Sequence, residues 1–506
     1  MNTKPLVIHA IIASAMILLT SVVWIAIYFV AIKPSSKGDV YTIFNSYGNN
    51  SNISRFPLDP KSCSPPPPVE CERTCEFVIC ETIPAGLTFN LSYPIFNRTT
   101  DCWMRLMKEA QNEILIGSFY WSLLVKNTGN NYETDTTNTG GDGGLIYNTL
   151  ISTAQRGVNI KIAQNFRDGG YEETADLAAV SNGRIKVRSL DFKQWYPGGI
   201  LHTKSWAVDG KHLYIGSANF DWRALTQVRE LGLAVFNCPC LGNDLKKLLQ
   251  IYWEMGAEGA KLPDSWPTSL ATPAYHGRPT VVPHANGNQA VYISASPPGF
   301  QSCGREDDLD AMVKLIDETK HRLDMAVMNY APCSLYMKPL NRWYGRLDEA
   351  IRRAAFDRQV KVRFLFSRWS HTAAKFYSYL HSLADISSQL QCIYKGKRCS
   401  TRGSIDIRII QVPDMKYGGI PFSRVYHSKY FVTDKAVYIG TSNWTPDYWW
   451  FTSGIGIVVK SDDISQTSYL VKQFAQIFER DWNSNYTIPL SYFDNNGKWT
   501  NGTKRM

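Results

Sequence analysis

The chain has 506 residues, which is long for a single domain. Hydrophobic residues make up 44% and charged residues 19%, which excludes a chain too polar to bury a core. The formal net charge of +10 is spread thinly, with no Lys/Arg run, so it favours anionic partners only mildly and excludes a basic tail.

Leu6 to Ile32 is apolar apart from His9 and contains no Asp, Glu, Lys or Arg. A bilayer span takes about 20 residues, whereas the apolar region of a cleaved signal peptide takes about 7–15. The run ends in Trp24, Tyr28 and Phe29, then Lys33-Pro34. It reads as an uncleaved transmembrane signal anchor over residues 6–32 behind a cytosolic tail, residues 1–5. Flanking charge hardly sets the orientation: Lys4 stands against Lys33 and Lys37. The downstream chain does. Asn-x-Ser/Thr sequons occur at Asn49, Asn52, Asn90, Asn97, Asn443, Asn485 and Asn501, and all 11 cysteines follow the anchor. Both features suit an oxidising lumen.

Residues 33–75 read as a stalk, with Pro65 to Pro68 as stiff polyproline. Cys71, Cys75, Cys80 and Cys102 follow, then Cys238 and Cys240. The last two form a C-x-C pair without a matching His/Cys set nearby in sequence, so disulfides are the expected use. Pairing of Cys71 or Cys75 with Cys238 and Cys240 is one arrangement. Cys392 and Cys399 are a further pair. An odd number leaves at least one thiol free or shared between chains.

From about Glu81 the pattern becomes α/β. Strands are expected over Ile114–Phe119, Val158–Ala163 and Ile185–Arg188, and helices over Leu145–Arg156 and Asp244–Met255. Asn127 to Gly144 is a Gly/Asn/Thr-rich loop. Residues 76–261 make a first lobe, the Pro/Thr/Gly-rich residues 262–288 a linker, and residues 289–506 a second lobe. There the order returns: helix Leu309–Lys320, strand Leu323–Met328, helix Arg346–Ala355, strands Val360–Phe366 and Ile405–Gln411, closing helix Val471–Trp482. The fold class is α/β, with two duplicated lobes, each a mixed sheet flanked by helices, facing each other as an intrachain pseudo-dimer.

The strongest signal is a repeated motif. LHTKSWAVDGKHLYIGSANF sets out His202, Lys204, Asp209 and Asn219; VYHSKYFVTDKAVYIGTSNW sets out His427, Lys429, Asp434 and Asn443. Alternating, β-branched residues around each His argue for a hairpin, and residues i and i+2 of a strand share a face. His202 should therefore lie beside Lys204, and His427 beside Lys429. Such a set suits phosphoryl transfer. Lysines and Asn amides hold non-bridging oxygens, one His attacks phosphorus, and the other protonates the leaving oxygen and then activates water.

A doubled His-x-Lys…Asp motif with a Gly-x-x-Asn turn resembles the HKD signature of the phospholipase D superfamily, closest to its lumenal single-pass types 3 and 4. ISASPP, VMNY and FERDW extend the likeness. The resemblance implies a phosphohistidine intermediate, no metal or other cofactor, and a 5′-3′ exonuclease acting on single-stranded DNA and RNA in endosomes and lysosomes. It implies His202 as nucleophile, His427 as general acid then base, and Lys204, Lys429, Asn219 and Asn443 on the phosphate. Glu230, 28 residues beyond His202 (230 − 202), falls where the superfamily often bonds a carboxylate to a catalytic imidazole. This favours His202 as the nucleophile; the alternative for Glu230 is a surface ion pair with Arg229. Asp209 and Asp434 are expected to brace the hairpins. The alternative function is phospholipid hydrolysis or transphosphatidylation on a lysophospholipid, which asks for an apolar rim such as Trp449-Trp450-Phe451. A non-catalytic glycoprotein is the third reading, opposed by the intact His and Lys pairs. A nucleic-acid enzyme should place aromatics near the cleft, with Phe119, Tyr120, Trp121, Tyr330 and Trp343 as candidates. Whether the chain forms a homodimer or is released from its anchor stays open at this level.

Overall fold

Two mixed β-sheets with the same strand order carry the site. The computed structural model describes residues 63–128, 140–337, 340–390, 393–394, 397–398, 402–415, 419–463, 465 and 467–500. The signal anchor, Asn49, Asn52, Asn501, Cys392, Cys399 and most of the Gly/Asn/Thr-rich loop lie outside them. Among the described residues no helix is long and apolar enough to cross a membrane.

The chain runs β1 (Glu76–Thr82), α1 (Thr99–Glu109), β2 (Glu113–Ser118), α2 (Gly141–Gln155), β3 (Asn159–Asn165), α3 (Glu172–Val180), β4 (Ile185–Leu190), β5 (Lys204–Val208), β6 (His212–Gly216), β7 (Glu230–Phe236) and α4 (Pro239–Met255). It continues with β8 (Thr280–Val282), β9 (Gln289–Ser296), α5 (Asp308–Asp317), β10 (Arg322–Val327), α6 (Arg346–Asp357), β11 (Lys361–Ser367), α7 (Lys375–Asp385), β12 (Ser404–Ile410), β13 (Tyr430–Val432), β14 (Ala436–Gly440), β15 (Gly454–Ser461), α8 (Tyr469–Trp482) and β16 (Thr487–Pro489). The first sheet is ordered β1-β7-β6-β5-β2-β3-β4 and the second β9-β15-β14-β13-β10-β11-β12, with short strands at the edges. Each has a parallel part, β2-β3-β4 and β10-β11-β12, and an antiparallel part that holds the motif hairpin.

One core takes inner faces from both sheets, with Leu233, Ile293, Ile439 and Ile457, together with α4 and α8. Helices α1 to α3 cover the outer face of the first sheet through Trp103, Leu150 and Leu177. Helices α5 to α7 cover the second through Met312, Ile351 and Leu380. This layering buries apolar faces on both sides of each sheet.

Two organisational expectations change. The stretch read as a linker contains β8, which pairs with β9, and buries Ala271, Thr272 and Ala274. The end of the stretch read as a stalk is fastened by disulfides Cys63–Cys303, Cys71–Cys240 and Cys75–Cys238. The matching set that Cys238 and Cys240 lack in sequence is supplied by the fold: Cys71 and Cys75 bring the four sulfurs within 4.8 Å of one another. Cys80 pairs with Cys102, and Cys333 is a buried free thiol.

Candidate active site

Each motif His sits in a lead-in to its hairpin rather than in a strand. His202 and Thr203 precede β5, which opens at Lys204; His427, Ser428 and Lys429 precede β13. The reason lies in the opposite sheet. The His202 N–H donates to the Ser453 carbonyl at 2.9 Å, and the His427 N–H donates to the Arg229 carbonyl at 2.8 Å. Each lead-in thus pairs with the segment just ahead of β15 or β7 instead of a neighbour in its own sheet. Lys204 Nζ then donates to the His202 carbonyl and Lys429 Nζ to the His427 carbonyl, both at 2.6 Å. Asn219 and Asn443 follow β6 and β14. The two His, two Lys and two Asn are all buried.

Glu230 opens β7, and both its carboxylate oxygens lie 2.9 Å from Nδ1 of His427. Ser217 Oγ donates to the same carboxylate at 2.5 Å. This corrects the expectation that Glu230 orients His202. Because Arg229 pairs with the His427 backbone, the next residue, Glu230, meets the His427 ring. Nor is Glu230 a surface partner of Arg229: it is 1% exposed, and Arg229 pairs with Glu81 and Asp481. The corresponding position facing His202 is Gly454. A Cβ there would run into Ser442 Oγ and meet Ser296 Oγ at 3.0 Å, so a side chain would enter only if Ser442 moved. Among the described residues no carboxylate bonds His202. The ground for naming His202 the nucleophile passes to His427.

Burial governs the electrostatics. It pushes Lys204 well below the usual lysine range, with the Lys429 charge adding to the effect and Glu230 opposing it. It brings Lys429 down to about 7, again against Glu230. It also pushes His202 well below the ordinary imidazole value, helped by Lys204 and Lys429. His427 is lowered by burial too, but Glu230 works against the fall. Four basic groups that resist charging while desolvated gain from a bound anion, which compensates the buried charge. The arrangement fits a phosphate.

The family model for "PLD3/4, PLD-like domain" matches residues 91–398. The 5′-3′ exonuclease PLD3 of Xenopus laevis is 38% identical over 426 residues, covering 84% of this chain and 83% of that one. The chain belongs to the PLD3/4 PLD-like family. The 5′-3′ exonuclease PLD3 of Homo sapiens is 36% identical over 425 residues, covering 84% and 82%, and the 5′-3′ exonuclease PLD4 of Mus musculus is 34% identical over 421 residues, covering 83% and 80%. As a PLD-family member it is a phosphodiesterase, and the enzyme class expected from the doubled motif stands.

In this PLD-like enzyme Asp209 accepts the backbone N–H groups of Gln111, Asn112 and Glu113 at 2.7–2.8 Å. Asp434 does the same for Lys320, His321 and Arg322 at 2.7–2.9 Å. Both carboxylates hold the turn that enters the adjoining strand, β2 or β10, and neither bonds a catalytic side chain. Of the aromatic candidates, Phe119 lies 4.9 Å from the His202 ring and under Lys204. Tyr120 donates its hydroxyl to Asp221, Trp121 and Tyr330 are core residues, and Trp343 is exposed. Sequence reasoning missed Tyr448. Its ring packs edge-on against His202 at 5.0 Å, and its hydroxyl accepts from Asn443 Nδ2 at 3.1 Å. The only signal was its place five residues beyond Asn443.

Proposed function

We propose that the enzyme is a 5′-3′ exonuclease that trims single-stranded DNA and RNA through a phosphohistidine on His427. The observation that carries the mechanism is the bond from Glu230 to His427 Nδ1. It leaves the Nε2 lone pair to attack phosphorus and supports the imidazolium that follows. One P–O bond breaks, and the departing oxygen takes its proton from His202. His202 then removes a proton from water, which hydrolyses the adduct. Lys204, Lys429, Asn219 and Asn443 hold the non-bridging oxygens. The substrate assignment follows the names of the relatives.

In this reading the two sheets with their helices are homologous lobes of an intrachain pseudo-dimer. The Leu6–Ile32 segment anchors the enzyme with its catalytic part in the endolysosomal lumen, and Asn49, Asn52, Asn90, Asn97, Asn485 and Asn501 carry glycans. Asn90, Asn97 and Asn485 are exposed, whereas Asn443 is buried beside Tyr448 and accepts no glycan. The lipid reading finds little support: Trp449 is buried, Trp450 packs on Tyr344, and Phe451 packs on Tyr196.

The test is digestion of 5′-hydroxyl and 5′-phosphate oligonucleotides at pH 5 beside a lysophosphatidylglycerol transfer assay. His202→Ala and His427→Ala serve as inactive controls. Lipid transfer without oligonucleotide digestion overturns the substrate. A trapped phosphohistidine mapped to His202 overturns the nucleophile.

A further inference from the structure

A cavity lies beside the segment that delivers His427. It has a volume of about 340 Å³ and is lined by Arg368, Trp369, Gln411, Ser423 and Arg424 among others. Arg424 is three residues ahead of His427. At no more than about 3.6 Å per residue, the Cα of Arg424 lies within about 11 Å of the Cα of His427.

Both guanidiniums are held without a bonded carboxylate among the described residues. Arg368 Nη1 donates to Gln411 Oε1 at 3.0 Å. Arg424 is buried and donates to the carbonyls of Pro413 and Ala85 at 2.7 and 2.9 Å. One carboxylate, Asp414, also borders the cavity, so the wall keeps a positive excess. Phe422, beside Ser423 of the lining, is 60% exposed. Its ring stacks on His371 at 5.0 Å with an interplanar angle of 7°, and Trp369 meets His371 edge-on at 4.6 Å. One face of Phe422 is covered and the ring is otherwise open to solvent. The backbone is set for this: Phe422 and Arg424 have φ of +56° and +53°. A bulky side chain in the left-handed region is costly and persists where surrounding structure imposes it. The result is an aromatic ring held outward next to two arginines held inward.

We propose that this cavity is a nucleotide subsite for the strand adjoining the scissile phosphate, with a base stacked on Phe422 and its phosphate on Arg368 and Arg424. Aromatic faces accept any base, and guanidiniums accept the backbone, so the subsite recognises single-stranded nucleic acid without reading sequence. The proposal rests on the exonuclease reading.

The test compares a 5′-hydroxyl thymidine decamer with bis(p-nitrophenyl) phosphate, a diester too small to span both places. Phe422→Gly removes the ring at a position whose φ suits glycine, and Arg368→Gln removes one guanidinium. Phe422→Gly should raise the KM for the decamer at least about fivefold, the lower end of the loss of one base stack, and Arg368→Gln should raise it too, with kcat and hydrolysis of the small diester unchanged in both. An unchanged KM for the decamer in both variants, or equal losses on the two substrates, overturns the subsite and leaves the exonuclease reading standing. A wild-type enzyme that hydrolyses the small diester and leaves the decamer intact overturns both.

Discussion

Glu230 shows how a residue is legible in sequence while its partner is not. His202, Lys204, Asn219 and their second copies announce themselves by repetition, and Glu230 by its spacing. Its partner His427 lies 197 residues away, and only the crossed pairing of Arg229 with His427 selects it. The contact fixes a pH dependence. Burial lowers both imidazoles from their ordinary value near 6.5, so the bell for kcat/KM should centre on the acid side of about 6.5. Glu230 keeps His427 above His202, so His427 governs the alkaline limb: raising the pH removes the last proton the imidazole pair needs. Glu230→Gln should move that limb to lower pH and reduce kcat by about 10²–10⁴-fold, as neutralising the carboxylate behind a catalytic imidazole does. A pH–rate series on both proteins reads both effects, and an unmoved alkaline limb contradicts the assignment. Lys429 adds a separate effect. It is charged below about 7 and neutral above, so the KM for an anionic diester should rise as pH climbs through 7. Lys429→Met should abolish that rise.

Strands were legible where alternation or the repeated motif marked them, whatever their burial. Strands β2, β3, β10, β11 and β12 and the motif hairpins follow from alternation and β-branched runs. Strands β7 and β9 did not: every residue of each is buried, a continuous apolar run carries no period, and neither holds the repeated motif that marks the equally buried hairpins. Strand β8 was hidden by the Pro/Thr/Gly composition around it, although three residues suffice to pair with β9. The hairpin ends show how the motif aspartates serve structure. Asp209 and Gly210 both have positive φ, +52° and +61°, as a tight Asp-Gly turn requires, while Asp209 also accepts three N–H groups. Asp434 has only the second duty. Asp434→Ala should cost about 1–3 kcal/mol of stability, the range for removing a carboxylate that accepts charge-assisted bonds near the surface. Asp209→Ala should cost about 1 kcal/mol more, because alanine tolerates the left-handed region poorly. Urea unfolding measures both. The folded fraction of each variant should keep its kcat, since neither carboxylate bonds a catalytic group.

The whole molecule is joined at a buried charge network that sequence patterns could not assemble. Glu81 comes from β1, Arg229 from the turn before β7, Tyr426 from the segment before His427, and Arg480 and Asp481 from α8. Arg480 meets Glu81 at 2.6 Å and Asp481 at 3.1 Å; Arg229 meets the same two carboxylates at 2.9 and 3.2 Å. Tyr426 donates to Asp481 at 2.9 Å. All five are 2% exposed or less. The FERDW segment stood out in the sequence by resemblance alone; its Arg-Asp pair supplies two of the five members of this network. Because Arg229 also holds the His427 backbone, the network sets the catalytic seam as well as the packing. Arg480→Met leaves one arginine for two buried carboxylates, so the fold should lose about 3–5 kcal/mol. The loss should depend on pH. In the native protein Glu81 is desolvated, but Arg229 and Arg480 hold its carboxyl below the ordinary value of 4.5. Its contribution is therefore present above about 4.5 and fades as pH falls through the lower folded value. In Arg480→Met that carboxyl loses a cation and titrates higher, so acid relieves the uncompensated charge. The gap in melting temperature between the two proteins should be widest near pH 7 and narrow towards pH 4. A gap constant with pH would assign the loss to the missing guanidinium's packing instead of its charge.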